Sequence, residues 1–155
     1  PSPWGVDYRT HQNSDQEQIA DPLIQNGADL VLGGHAHVPQ PIEMRTVTAE
    51  DGSERTGFGC YSLGNFISAQ IDPLTDITAV LTVELERDNV TGKSSVTGWE
   101  YVPMRMVRRD GTERVFTLTD AAAVPADTSA ELAAELEEAA DLCGEILGPA
   151  QVELP

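Results

Sequence analysis

Positive charge is what this sequence has least of. Nine Lys and Arg residues stand against 26 Asp and Glu, a formal net charge of −17 over 155 residues. Beyond the Debye length so acidic a chain repels phosphate backbones and anionic lipid surfaces, which argues against nucleic-acid and membrane-surface binding. Lys93 is the single lysine, and Asp, Ala, Gly and Val are plentiful; a GC-rich genome and a salt-adapted host account for that bias equally well. No apolar run approaches the roughly 18 residues a bilayer span requires. No charged-then-apolar leader opens the chain either, so no transmembrane segment is expected. Cysteine is equally sparse. Cys60 and Cys143 have no CxxC or Cys/His ladder around them, so the expectation is two small buried or half-buried residues, with no disulfide or metal role.

What the chain does have is material for a core: 40% of its residues are hydrophobic and 23% charged, enough for one globular domain or a large piece of one. It starts at Pro1 without an initiator Met, and its first residues read as the inside of a domain. A fragment of a longer protein is therefore expected, with any upstream ligands, signal or anchor outside it.

Ser14 and Glu17 have the spacing of a capping box, in which side chain and backbone satisfy each other's free groups at a helix start. A helix is predicted from Ser14 to about Gln25, with Ile19, Ala20, Leu23 and Ile24 as its apolar face and Pro22 kinking or splitting it. Asn26 and Gly27 supply a left-handed stop. Residues 29–32 are a short apolar run of the kind found in strands buried on both faces. Helix, glycine turn and buried strand make an α/β unit, and ligands in such sheets collect at the carboxyl ends of strands. Gly33-Gly34-His35-Ala36-His37 lies at that end.

Beyond Pro39 and Pro41 the pattern changes to strands: 42–48, a polar turn at 50–54, then 58–63, which together suggest a hairpin. Residues 77–86 alternate as a strand, 96 to about 108 form another, and Asp110-Gly111 signals a hairpin into 114–118. Residues 120–128 read as an Ala/Pro-rich connector and 129–147 as an acidic helix ended by Gly148-Pro149. The division expected is 1–119 for the domain's main body and 120–155 for connector and helix, packed on that body or extending from it.

Two imidazoles at i and i+2 after a buried strand can point to a common pole, and neutral imidazole suits Zn, Fe, Mn, Co or Ni. On spacing alone, one His capping the strand and the other exposed by accident is an equally good account. The Gly-Gly prefix favours the metal. Asn65 follows a strand and Gly64, so its amide can orient a ligand or substrate oxygen; an Asn simply forming a turn is as good a reading. Ser62 lacks a base-and-acid pair at triad spacing. His11 and Arg9 read as exposed loop residues, Trp4 and Tyr8 as packing residues of a pocket wall.

Gly34-His35-Ala36-His37 resembles the GHxH signature that closes the metal site of calcineurin-like metallophosphoesterases. The wider series is more specific. Trp4-Gly5-Val6-Asp7-Tyr8, Gln18 and Ala20, the run from Gly27 to Glu43, and Tyr61-Ser62-Leu63-Gly64-Asn65-Phe66 together resemble the CapA family of poly-γ-glutamate and capsule biosynthesis proteins over about residues 3–70.

The resemblance implies the C-terminal part of a four-layer α/β/β/α metallophosphoesterase-like sandwich, and an extracytoplasmic or cell-surface location. It implies divalent metal ions, two in an intact site, as Mn, Fe or Zn, with His35 and His37 as ligands and the remaining ligands upstream. Such paired cations lower the pKa of bound water and clamp the oxygens of a phosphoester undergoing in-line attack. The implied partners are an anionic polymer or phosphoester substrate and membrane synthase subunits.

One departure stands out: Pro3 occupies the place where the family usually has a ligating His. Asp7, where the family usually has Glu, is a candidate substitute carboxylate, and Asp7 and Asn65 are the candidate catalytic residues; a solvated strand-end Asp is the rival reading. Two other functions stay open, a metal-dependent phosphatase or nucleotidase acting on small molecules and a non-catalytic scaffold subunit. Pro3 favours the scaffold of those two.

Overall fold

The computed structural model describes residues 4–109 and 115–154, a mixed α/β arrangement of two helices and seven strands among them. Helix α1 (Ser14–Gln25) is capped one residue earlier than expected: Asn13 accepts from the Gln16 backbone N–H, and the Gln16 side chain reciprocates on the Asn13 backbone. Gln takes the place of Glu in that box because the same side chain also has work inside the core. Its buried stripe is Gln16, Ala20 and Ile24, while Leu23 is exposed. Pro22 neither splits nor ends the helix. Its ring and Gln18, whose carbonyl loses its intrahelical donor, both lie on the exposed side, where water can take over.

Gly27, at φ +108, turns the chain into β1 (Leu30–Leu32), which pairs in parallel with β3 (Glu54–Leu63). β2 (Pro39–Thr48) pairs antiparallel with β3 as the expected hairpin, closed by the turn in which the Ala49 N–H donates to the Ser53 carbonyl. The order is β1-β3-β2. β2 begins earlier than the hydrophobic pattern suggests. Two prolines are tolerated in it because it flanks β3 on one side only, and a strand edge needs no donor there. β1 is not buried on both faces as expected, for Leu32 is 59% exposed.

The second sheet comprises β4 (Ile77–Arg87), β5 (Ser94–Arg109), β6 (Val115–Asp120) and β7 (Gln151–Glu153), with β5 pairing with the other three. β7 has too few residues to show a period and was not expected. The Asp110-Gly111 turn lies outside the described residues. Helix α2 (Ala130–Leu147) is capped by the Ser129 hydroxyl and stops at Gly148, as its sequence suggests.

Two cores result. Ala20 and Ile24 pack with Val31, Val47 and Tyr61 on one face of the first sheet. On the other face Ile42, Phe58 and Cys60 meet Ile77, Ala79, Trp99 and Tyr101 of the second sheet, together with Leu136, Ala139, Cys143 and Leu147 of α2. The helix thus joins a core shared by both sheets. Both cysteines are buried and free.

Candidate metal site

Three loops meet beyond the carboxyl end of β1: residues 5–13, 33–38 and 64–76. The middle loop is fastened at both ends, since the Gly33 N–H donates to the Cys60 carbonyl (2.7 Å) and the Tyr8 N–H to the Ala36 carbonyl (2.8 Å). Ala36 and Val38 are fully buried. The alternation turns His35 and His37 outward, and their ring centroids lie 6.1 Å apart.

Below that loop the Trp4 indole stacks on Tyr61 and donates to its carbonyl at 2.9 Å. Gly33 is required here: a Cβ at this position would meet the Trp4 ring at about 2.0 Å. The 5–13 loop is held from inside. Buried Gln40 donates to the carbonyls of Arg9 and His11, and accepts from Gln16 at 2.8 Å.

The four residues singled out from sequence come together. His35 Nε2 lies 3.1 Å from Asp7 Oδ1, and His37 Nδ1 lies 2.9 Å from Asn65 Oδ1. Tyr8, expected only to pack, is 42% exposed and is a polar member of the cluster: its ring lies beside His37 and its hydroxyl accepts from Gln70 Nε2 at 3.2 Å. Desolvation, then the negative charge of Asp72 and Asp7, pushes its phenol above the ordinary value. Gln70 was not anticipated, because a lone Gln in a polar loop carries no motif. Ser62 is buried and its hydroxyl accepts from the Gly64 N–H. His11 and Arg9 are exposed, as expected. Pro3 lies outside the described residues.

The left-handed backbone is concentrated here. Among the described residues, the non-glycine positions with positive φ are Tyr8 (61°), His35 (92°), His37 (64°) and Leu74 (65°), all in these three loops. Such conformations cost of order 1–3 kcal/mol each and persist only where the surroundings over-determine them.

As a donor set, two imidazoles with ring centroids 6.1 Å apart and a carboxylate against one of them suit a borderline divalent cation such as Zn or Fe. They make a partial set. Among the described residues no three His, Cys, Asp or Glu side chains are grouped to hold a metal by themselves.

Residues 2–70 match the family described as bacterial capsule synthesis protein PGA_cap. Over that part the chain is similar to the capsule synthesis protein family. The chain is also 35% identical over 96 residues to the PGA biosynthesis protein CapA of Bacillus subtilis (strain 168), an alignment covering 62% of this chain and 23% of the relative. To the capsule biosynthesis protein CapA of Bacillus anthracis it is 33% identical over 88 residues, 57% of this chain and 19% of the relative. The chain therefore spans about a quarter or less of the length of these relatives. No solved structure matches it. The segment shared with the capsule synthesis family contains α1, β1, β2, β3 and all of Asp7, His35, His37, Asn65 and Gln70, whereas the second sheet and α2 follow it. No described helix is long and apolar enough to cross a membrane.

Proposed function

We propose that this protein takes part in making or attaching an anionic extracellular polymer such as poly-γ-glutamate, at the cell surface or otherwise outside the cytoplasm. We further propose that His35 and His37 contribute to a divalent-metal site of the metallophosphoesterase kind. The family match of residues 2–70 supports the process. The metal site is supported by one observation above all: two imidazoles, a carboxylate and an amide from three separate loops converge, in strained backbone, beyond a strand's carboxyl end.

A divalent ion held there would supply Lewis acidity toward a phosphoryl or carbonyl oxygen. The chain's own residues have simpler tasks. His35 and His37 present ring nitrogens, Asp7 steadies or joins His35, Asn65 orients His37, and Tyr8 forms the wall beside it. The substrate is then an anionic polymer or a phosphoester, and the partners are membrane synthase subunits.

Metal analysis of the purified protein, with and without His35→Ala and His37→Ala, tests the site. Each substitution is expected to remove bound metal; metal content unchanged in both overturns the reading. A second reading, a non-catalytic scaffold within a polymer-synthesis complex, is favoured specifically by Pro3, because proline offers no donor where the family usually has a ligating His. A phosphatase assay of Pro3→His separates the two. Gain of hydrolysis supports a silenced enzyme, and continued inactivity with metal bound supports the scaffold.

A further inference from the structure

We infer that His37 is held as the Nδ1–H tautomer, with Nε2 bare, by a one-way hydrogen-bond chain running from its ring through Asn65 and Gln70 to the Tyr8 hydroxyl. Asn65, Gln70 and Tyr8 are then positioning residues for that imidazole. Only the use of the bare Nε2, to bind a metal, rests on the function proposed above.

The sense of every link follows from what each atom can do. Asn65 Nδ2 lies 3.2 Å from the Thr75 carbonyl oxygen, which can only accept, so the amide nitrogen must face it. That fixes the amide's orientation, and its oxygen is left facing His37 Nδ1 at 2.9 Å. An amide oxygen has no hydrogen to give, so the ring nitrogen must carry it. The other hydrogen of Asn65 Nδ2 goes to Gln70 Oε1 at 2.7 Å. With its oxygen taken, Gln70 turns its Nε2 to the Tyr8 hydroxyl and donates at 3.2 Å.

Three links therefore share one direction, from imidazole to phenol, and a chain of aligned hydrogen bonds strengthens each member. Its supports are fixed. The Thr75 N–H and hydroxyl both bond the Asp72 carbonyl, at 3.2 Å and 2.6 Å, and Ser68 Oγ accepts from the Gln70 backbone N–H at 3.1 Å. Neutral histidine in water prefers the hydrogen on Nε2, so the chain reverses the intrinsic preference and turns a bare nitrogen outward. Among the described residues His35 has no comparable support. Its Nε2 faces Asp7, and both of those side chains are well exposed, at 38% and 50%. Second partners of ligating imidazoles typically change metal affinity by 10–100-fold.

The test is a long-range proton–nitrogen correlation spectrum of the metal-free, histidine-labelled protein at about pH 8.5, where imidazoles are neutral. The His37 signals are identified by their loss in His37→Ala. The expected result is a proton-bearing Nδ1 and an unprotonated Nε2. Asn65→Leu should shift the ratio toward Nε2–H by about tenfold, the effect of one net hydrogen bond. Gln70→Leu should shift it less and in the same direction. Asn65→Asp keeps an acceptor and should keep the Nδ1–H form, a rescue that a merely structural role for Asn65 does not predict. A hydrogen on Nε2 in the unsubstituted protein, or a ratio indifferent to Asn65→Leu, overturns the inference. Titrating zinc into the same samples answers separately for the metal. Zinc binding about 10–100-fold weaker in Asn65→Leu is expected, whereas an Nδ1–H tautomer with no zinc-dependent change at His37 overturns the metal reading alone.

Discussion

His35 sits at φ +92°, beyond even the ordinary left-handed well, and His37 at +64°. An L side chain at His35 is a standing cost that glycine would not incur, so His35→Gly should be more stable than His35→Ala by about 1 kcal/mol. The Asp7 contact is lost in both variants and, being well exposed, is worth little in either. Urea midpoints decide it: equal stability of the two variants would mean that the backbone there is relaxed. Gly33 is demanded for the opposite reason, lack of room. Gly33→Ala should displace the Trp4 indole and break its bond to the Tyr61 carbonyl. A loss of about 1–3 kcal/mol is expected, visible with a change in Trp fluorescence. Sequence alone pointed to both glycines and both histidines as a bend with chemistry. It could not say that Gly33 answers to Trp4, because that contact joins residues 29 positions apart.

At the scale of elements, α1 does more than cover the first sheet. Gln16 closes the helix cap through its carbonyl oxygen and reaches Gln40 through its amide nitrogen, and Gln40 in turn holds the carbonyls of Arg9 and His11. One buried amide pair thus ties helix, β2 and site loop together. Gln40→Leu should leave the Gln16 amide and two loop carbonyls without partners, at a cost of about 2–3 kcal/mol. Faster amide exchange at residues 9–12, with that of β3 unchanged, is the accompanying signature; uniform exchange across the chain would contradict the tie. The capping box was legible one residue out of place, because Ser14 and Glu17 satisfy the same pattern as Asn13 and Gln16. Burial chose between them, since only Gln16 faces the core.

For the molecule as a whole, charge and buried thiols set the conditions of stability and binding. A net charge of −17 opposes any polyanion at long range, so the proposed association with an anionic polymer such as poly-γ-glutamate would have to be local. Raising salt from about 0.05 to about 0.5 M should tighten that association or leave it intact. Nucleic-acid binders show the reverse; marked weakening by salt would count against the proposed partner.

The two cysteines bear on alkaline stability. Burial pushes Cys60 up to about 12 and Cys143 to about 11, from an ordinary value of 9.0. Both are neutral in the fold and ionise first in the unfolded chain. Their contribution is therefore complete below about pH 9 and falls as pH rises toward the native values, at about 1.4 kcal/mol per pH unit for each thiol. Replacing both by Ala should flatten the decline between about pH 9 and about pH 10.5, as read from urea midpoints.

By itself the sequence determined the periodic elements and the local turns: α1 and α2 with their stops, the hairpin with its turn read at residues 50–54, the long strands of the second sheet, and the series of motifs that carries the family resemblance. These rest on neighbours in the chain, whose periods and turn chemistry need no distant partner. Only the tertiary structure decided that α2 joins a core shared by both sheets, that Leu32 faces outward, and that Tyr8 and Gln70 stand with His37 while Ser62 does not. Those outcomes depend on loops separated by up to 62 residues converging at one place, and on burial and hydrogen-bond direction once they are there. Neither quantity has a period in the sequence.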